Sequence, residues 1–154
     1  MQSRLIFSFI FITLLFQNCT KEKRFSNRLD GKTWQIVTLQ LNGQNWFGGQ
    51  LEFGECKIYN ELCTGKWKDE GGGVAEFYWQ FNEKAKKFQI SNKTSFENAF
   101  PTPQIVAAQR CLSLSGKYQV VSFKKNSGKR QLSLESEETY GFPGDAVILI
   151  LEEQ

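Results

Sequence analysis

An alternation of apolar and polar residues, clearest from Ala75 to Phe81, restricts the fold of this chain more than any other feature. The apolar set is Ala75, Phe77, Trp79 and Phe81, and the residues between them are Glu76, Tyr78 and Gln80. A period of two puts one set on each face of a β-strand, whereas an amphipathic helix needs a period near 3.6. Runs of this kind cover residues 33–41, 50–58, 62–68, 75–81, 87–91, 117–125, 130–136 and 146–151. The sequence therefore predicts an all-β fold with eight strands.

Turn residues between these runs indicate how the strands connect. Asn42-Gly43 follows the first run, and Asn126-Ser127-Gly128 lies between the sixth and the seventh. Such sequences favour tight hairpins, so consecutive strands are expected to pair in antiparallel fashion. Closing the sheet on itself removes the unpaired edges that an open sheet would expose. We therefore predict one domain, residues 29–154, that forms an eight-stranded antiparallel up-and-down barrel.

One segment, residues 92–116, departs from the strand pattern. Thr102 precedes Pro103 there, as an N-cap residue precedes the proline that is favoured in a first helical turn. The pattern predicts one short helix over residues 103–110, which is expected to plug an end of the barrel. The side chains expected to face inward are Ile105, Val106 and Ala108.

The N-terminal segment, residues 1–18, has the pattern of a signal peptide. Arg4 precedes an apolar run, Leu5 to Phe16, that is shorter than the roughly 20 residues a membrane-spanning helix needs. Cys19 follows the run, and residues 19–28 are hydrophilic and predict a tether.

This arrangement of an apolar run and a lone cysteine resembles a bacterial lipoprotein signal. The resemblance implies that Cys19 becomes the first mature residue and carries acyl chains that hold the protein in a membrane. The location it implies is the cell envelope, at the outer membrane. The alternative is an ordinary secretory signal in which Cys19 is an incidental thiol.

Three further cysteines, Cys56, Cys63 and Cys111, would pass through an oxidising compartment during export. Cys56 and Cys63 would close the smallest loop, so we predict that they form a disulfide. Strand alternation places Cys56 on the face opposite Phe53, a mismatch that a bulge near Gly54 would remove. Otherwise Cys111 would take one of the two as its partner. Three cysteines with no histidine and no C-x-x-C spacing match no usual metal site, and no metal is expected.

Composition excludes several function classes. The chain has no histidine, which removes imidazole from acid–base catalysis, from nucleophilic triads and from most metal sites. Its acidic pairs, such as Asp69-Glu70, are adjacent, so in a strand their side chains would point apart. Gly71-Gly72-Gly73 lacks the Lys-Ser/Thr of a phosphate-binding loop. Neither an enzyme nor a cofactor is predicted. The 19 Lys and Arg residues are scattered among 16 Asp and Glu, which argues against nucleic-acid binding.

Aromatic residues are the feature with a functional interpretation. Those expected to face the barrel interior are Phe53, Trp67, Phe77, Trp79, Phe81 and Phe88. An eight-stranded barrel is just wide enough to be filled by its own side chains or to hold one small ligand, so this set forms either a packed core or the lining of a cavity. Two predicted loops, residues 45–49 and 140–143, place further aromatic residues beside glycine and are candidates for a contact surface.

Short motifs spread across nearly the whole mature chain resemble the lipocalin-like lipoproteins of bacteria. They are Leu29-Asp30-Gly31-Lys32-Thr33-Trp34, Asn42-Gly43, Leu51-Glu52-Phe53, Thr64-Gly65-Lys66-Trp67, Phe77 to Phe81, Tyr118-Gln119-Val120 and Ile148-Leu149-Ile150-Leu151-Glu152. The resemblance implies a lipid-anchored barrel that binds a small hydrophobic ligand among the interior aromatic residues. The alternative is an envelope or surface protein with a packed core and no internal ligand, which binds a protein partner through its loops.

Overall fold

A computed structural model describes residues 21–56, 62–95 and 102–154 of the chain. Its helices are α1, Lys21–Leu29, and α2, Pro103–Ser113. Its strands are β1, Lys32–Leu41; β2, Gln44–Asn45; β3, Gly49–Phe53; β4, Cys63–Asp69; β5, Val74–Asn82; β6, Lys87–Asn92; β7, Gly116–Asn126; β8, Lys129–Ser136; and β9, Val147–Glu153.

The sheet closes into a barrel. The strands pair in the order β1, β3, β4, β5, β6, β7, β8, β9, each antiparallel to the next, and β9 pairs back with β1. The predicted eight-stranded antiparallel barrel is therefore confirmed. β2 is an additional short strand, and it pairs with the last two residues of β1. In a barrel of this connectivity the β3–β4, β5–β6 and β7–β8 connections lie at one end, and the β4–β5, β6–β7 and β8–β9 connections lie at the other.

Alternation along the strands follows the predicted pattern. In β4 every second residue is buried, from Cys63 to Asp69, and in β5 the buried set includes Phe77 and Trp79. The predicted turn at Asn42-Gly43 is confirmed, since both residues have the positive φ angles, 48° and 80°, of a type I′ hairpin. The predicted second strand ends earlier than expected, at Phe53, and its last predicted residues, 57 and 58, lie outside the described part of the chain.

The prediction that residues 19–28 form a tether is wrong for residues 21–28, which belong to α1. Two apolar residues four positions apart, Phe25 and Leu29, are buried on one face of this helix. The Phe25 ring packs edge-on against Phe81 and Phe123, with centroids 5.5 and 5.0 Å away. The Arg28 guanidinium donates to the Phe123 carbonyl oxygen at 3.3 Å and lies 5.2 Å from the Phe123 ring centroid. Helix α1 is thus docked on the end of the barrel where β5 and β7 finish.

The predicted helix is confirmed as α2 and is longer than the predicted range, since it runs to Ser113. Thr102 is its N-cap, because the hydroxyl accepts a hydrogen bond from the Ile105 N–H at 3.3 Å. Its inward face differs from the prediction: Ala108 is buried, but Ile105 and Val106 are only half-buried. The buried residues of α2 are Ala107, Ala108 and Cys111. These small side chains let the helix lie close across β4, β5 and β6 at the end of the barrel opposite α1.

Candidate functional site

The six interior aromatic residues that the sequence predicted are all buried, none more than 4% exposed. Five of them form one group. The Phe53 ring lies 5.7 Å from Phe77 and 5.1 Å from Trp79, both edge-on, and Phe81 and Phe88 lie 4.8 Å apart. Edge-to-face contacts of this kind are favourable and fill the space between strands. The interior of the barrel around Phe53 is therefore occupied by protein side chains.

Trp67 lies apart from that group, and a further interior tryptophan, Trp34, was not in the predicted set. Trp67 packs against Phe47, with ring centroids 5.6 Å apart. Trp34 is fully buried and packs edge-on against Phe53 and Phe123. The alternation of the first strand carries the signal for Trp34, since Ile36 is buried on the same face.

Two indole N–H groups in the interior, those of Trp34 and Trp67, have no hydrogen-bond acceptor among the residues that the structure describes. The Trp79 indole, in contrast, donates to the Thr64 carbonyl oxygen at 3.0 Å. A buried donor left without a partner costs about 1–3 kcal/mol. The two free donors are therefore positions at which water or the acceptor group of a ligand would be stabilised.

The two loops that the sequence marked as contact surfaces meet at the α2 end of the barrel. Trp46 follows β2, Phe142 lies between β8 and β9, and their ring centroids are 4.3 Å apart. Phe47 joins them, 5.1 Å from Trp46. We call Trp46, Phe47 and Phe142 the aromatic end cluster. Trp46 is 49% exposed, and Tyr140, from the same loop as Phe142, is 72% exposed.

Polar contacts beneath the aromatic end cluster hold it in place. The Asp69 side chain is buried and its Oδ1 accepts a hydrogen bond from Arg110 Nη1 at 2.7 Å. Asp69 Oδ2 accepts from the Gly71 N–H at 2.9 Å, which fixes the β4–β5 turn. The Arg110 guanidinium lies 4.9 Å from the centroid of the Phe47 ring, a cation–π contact. Helix α2, the turn and the cluster are therefore joined through one ion pair.

Backbone contacts fix the two loops themselves. The Trp46 N–H donates to the Leu39 carbonyl oxygen at 2.8 Å, and the Tyr140 N–H donates to the Ser115 carbonyl oxygen at 2.8 Å. Gly141 lies so close to Ser113 that a Cβ atom at this position would overlap it. The glycine thus permits the loop before β9 to lie against the end of α2, where it presents Phe142 to Trp46.

A disulfide joins Cys56 and Cys63, as predicted, with a Cα–Cα distance of 5.1 Å. No bulge is needed, because β3 ends at Phe53 and the irregular segment after it turns Cys56 inward. The Cys56 N–H donates to Asp30 Oδ1 at 2.8 Å, which ties this loop to the residue that follows α1. Cys111 is free and buried, and burial raises the pKa of its thiol to about 12, so the thiol is protonated and unreactive near neutral pH.

Two grooves lie on the outer surface of the barrel. One, of about 430 Å³, is bounded by residues of β1, β3 and β4 and includes the Glu76–Lys93 ion pair, 2.8 Å long. Hydrogen bonding to Lys93 lowers the pKa of the exposed Glu76 carboxyl. The other groove, of about 1050 Å³, lies over β7, β8 and the loop that carries Tyr140. Across the described ranges, no group of three His, Cys, Asp or Glu residues is arranged to bind a metal ion.

Comparisons of the chain with protein families, with curated proteins and with solved structures found no match. Within the part of the chain that is described, neither helix has the length and apolar character required to span a bilayer. The barrel, its interior donors and the aromatic end cluster are therefore the observations from which a function is inferred.

Proposed function

We propose that this chain is a lipid-anchored lipoprotein of the bacterial cell envelope that binds an envelope protein through the aromatic end cluster. The observation that carries the proposal is the contact between Trp46, which is 49% exposed, and the buried Phe142, from two loops distant in the sequence, at the end of the barrel opposite α1. The proposed anchor, Cys19, precedes α1 by two positions. Anchor and cluster would thus lie at opposite ends of the domain.

The composition of the cluster supports a contact with protein. Tryptophan and tyrosine are enriched at the centres of protein interfaces, and Trp46 and the neighbouring Tyr140 are the exposed aromatic side chains at this end of the barrel, at 49% and 72%. The cluster is also held rigidly, by the Asp69–Arg110 ion pair and by backbone hydrogen bonds, so little conformational entropy would be lost on binding. The rings packed around Phe53 favour the alternative predicted from the sequence, a barrel with a packed core and no internal ligand.

The test places a photo-reactive amino acid at Tyr140, beside the cluster, and captures the partner in intact cells. Trp46→Ala in the same protein is expected to lower recovery of the cross-linked partner at least tenfold, since a tryptophan at the centre of an interface contributes about 2 kcal/mol or more. Val121→Ala is the matched control, because Val121 is similarly exposed, at 55%, on the bulge of β7. Equal recovery from Trp46→Ala and Val121→Ala would rule out the cluster as the binding surface.

The anchor is tested separately. Cells labelled with radioactive palmitate are expected to incorporate label into the wild-type chain and not into Cys19→Ala. Absence of label from both would refute the lipoprotein assignment.

A second candidate is the binding of a small apolar ligand inside the barrel, and the unpartnered indole N–H groups of Trp34 and Trp67 favour it. The ligand would place its hydrocarbon part against the interior rings and a hydrogen-bond acceptor at one of these donors. Titration of a fluorescent fatty acid is expected to quench tryptophan emission. Trp67→Phe, which keeps an aromatic side chain and removes the indole N–H, is expected to weaken binding about fivefold to tenfold. A flat titration of the wild-type chain would exclude this candidate and leave the packed core.

A further inference from the structure

The charged residues of the barrel are distributed unequally between its two ends. Cations predominate at the end that carries α1, the β5–β6 turn and the β7–β8 turn. Among the described residues they are Lys21, Lys23, Arg24, Arg28, Lys32, Lys84, Lys86, Lys87, Lys124, Lys125, Lys129 and Arg130. The acidic residues at this end are Glu22, Asp30, Glu55, Glu83, Glu152 and Glu153. We call this surface the basic end.

Several of the acidic residues at the basic end are already paired. Glu153 accepts from Lys32 at 2.8 Å and from Arg130 at 3.4 Å, and Glu152 lies 3.4 Å from Lys129. Asp30 accepts a hydrogen bond from a backbone N–H. At the basic end, the exposed cations that form no ion pair with any residue in the described ranges are Lys21, Arg24, Lys84, Lys86, Lys124 and Lys125. The net positive charge of this surface is therefore available to an external anion.

The opposite end carries the reverse charge. Among the described residues, its acidic residues are Asp69, Glu70, Glu135, Glu137, Glu138 and Asp145. Its cations are Lys68, Lys93, Arg110 and Lys117, of which Lys68 and Lys93 are paired with Glu52 and Glu76. Arg110 is paired with the buried Asp69. The domain is thus electrostatically polarised along the barrel axis, although the whole chain has a formal net charge of only +3. A charged surface orients a protein that is polarised in this way, because it attracts the end of opposite charge and repels the end of like charge.

We propose that the basic end docks on a bilayer surface that contains anionic phospholipids, so that the barrel stands on the membrane and the aromatic end cluster faces away from it. The inference deepens the proposed function, on which it rests for the position of the anchor. Because α1 begins at Lys21 and is fixed to Phe81 and Phe123, an acyl chain on Cys19 would hold this end, and not the opposite one, at the headgroups. The acidic end would be repelled from the same surface.

The experiment measures binding of residues 20–154, which lack both the apolar run and the cysteine that would be acylated, to sedimented vesicles. The vesicles are phosphatidylcholine alone or phosphatidylcholine with phosphatidylglycerol. Binding is expected only with phosphatidylglycerol and is expected to be reversed by salt, because contacts between exposed charges are screened. Each cation near an anionic surface contributes about a fivefold change in partitioning, so Lys124→Gln with Lys125→Gln is expected to reduce binding about 25-fold.

A matched control removes the same charge elsewhere. Lys66 and Lys117 are exposed cations on β4 and at the start of β7, away from the basic end, and Lys66→Gln with Lys117→Gln is expected to reduce binding less than fivefold. Equal losses in the two double variants would show that net charge, and not the basic end, drives binding, and would overturn the proposal. Binding that does not depend on phosphatidylglycerol would overturn it as well. Because Cys19 is absent from this assay, its result is independent of palmitate labelling and of partner capture.

Discussion

Substitution of Phe25 tests whether α1 is an integral part of the barrel domain. Phe25 is 8% exposed, and its ring packs edge-on against Phe81 and Phe123. Burial of a phenylalanine side chain contributes about 2 kcal/mol, and two edge-on ring contacts add about 1 kcal/mol together. Phe25→Ala is therefore expected to lower the free energy of unfolding by about 3 kcal/mol, within the usual range for such a truncation.

The assay is equilibrium unfolding in urea, followed by tryptophan fluorescence, on residues 20–154. Arg24→Ala is the matched control, since Arg24 is exposed on the same helix and its loss is expected to change the free energy by less than about 0.5 kcal/mol. If α1 were a flexible tether, Phe25 would have no buried contacts to lose. A loss in Phe25→Ala no larger than in Arg24→Ala would refute the docked helix and with it the short distance between Cys19 and the barrel.

Three further predictions concern the disulfide, the buried ion pair and the free thiol. Replacement of Cys56 and Cys63 together by serine is expected to lower the free energy of unfolding by about 2 kcal/mol, as for closure of a short loop, and no loss in urea unfolding would contradict a stabilising bond. Arg110→Gln leaves the buried Asp69 carboxylate without its cation and is expected to lower the free energy of unfolding by about 1–3 kcal/mol. Lys68→Gln, which breaks the exposed pair with Glu52, is expected to lower it by less than about 1 kcal/mol. Equal losses in the two variants would contradict the burial of Asp69. Burial raises the pKa of Cys111 to about 12, so the unfolded chain loses the thiol proton at lower pH than the folded chain does. The free energy of unfolding is therefore expected to fall as pH rises from about 9 to about 12, and Cys111→Ala is expected to reduce this fall. A pH profile that is the same in Cys111→Ala as in the wild type would contradict the burial of the thiol.

The strands could be predicted because burial in a barrel imposes a local pattern. Each strand has one face toward the core, so residues such as Phe77 and Trp79 must recur with a period of two whatever the rest of the chain does. The turn at Asn42-Gly43 and the N-cap Thr102 are equally local, because each depends on the backbone geometry of a few residues.

Helix α1 could not be recognised as easily, because its docking depends on two apolar residues, Phe25 and Leu29, in an otherwise polar segment. Their spacing of four is a weak signal, and the partners that bury them, Phe81 and Phe123, come from distant strands. The same reason applies to the aromatic end cluster. The sequence marked the loops of Trp46 and Phe142 as separate contact surfaces, and only pairing of β9 with β1 brings them together.

Interior hydrogen bonding also depends on information that is not local. Trp34, Trp67 and Trp79 all follow the alternation, yet only Trp79 has a carbonyl oxygen, that of Thr64, within reach of its indole. Which indole finds an acceptor depends on the register between neighbouring strands and on the rotamer of each ring.

The orientation of the acylated protein on a membrane distinguishes a barrel that stands on its α1 end from one that does not. A fluorescent donor is attached through Ser127→Cys, at the β7–β8 turn, or through Tyr140→Cys, beside the aromatic end cluster, and energy transfer to an acceptor lipid in the bilayer is measured. With the basic end at the headgroups, transfer is expected to be strong from position 127 and weak from position 140. Equal transfer from the two positions, or stronger transfer from position 140, would contradict a barrel that stands on the membrane by its α1 end.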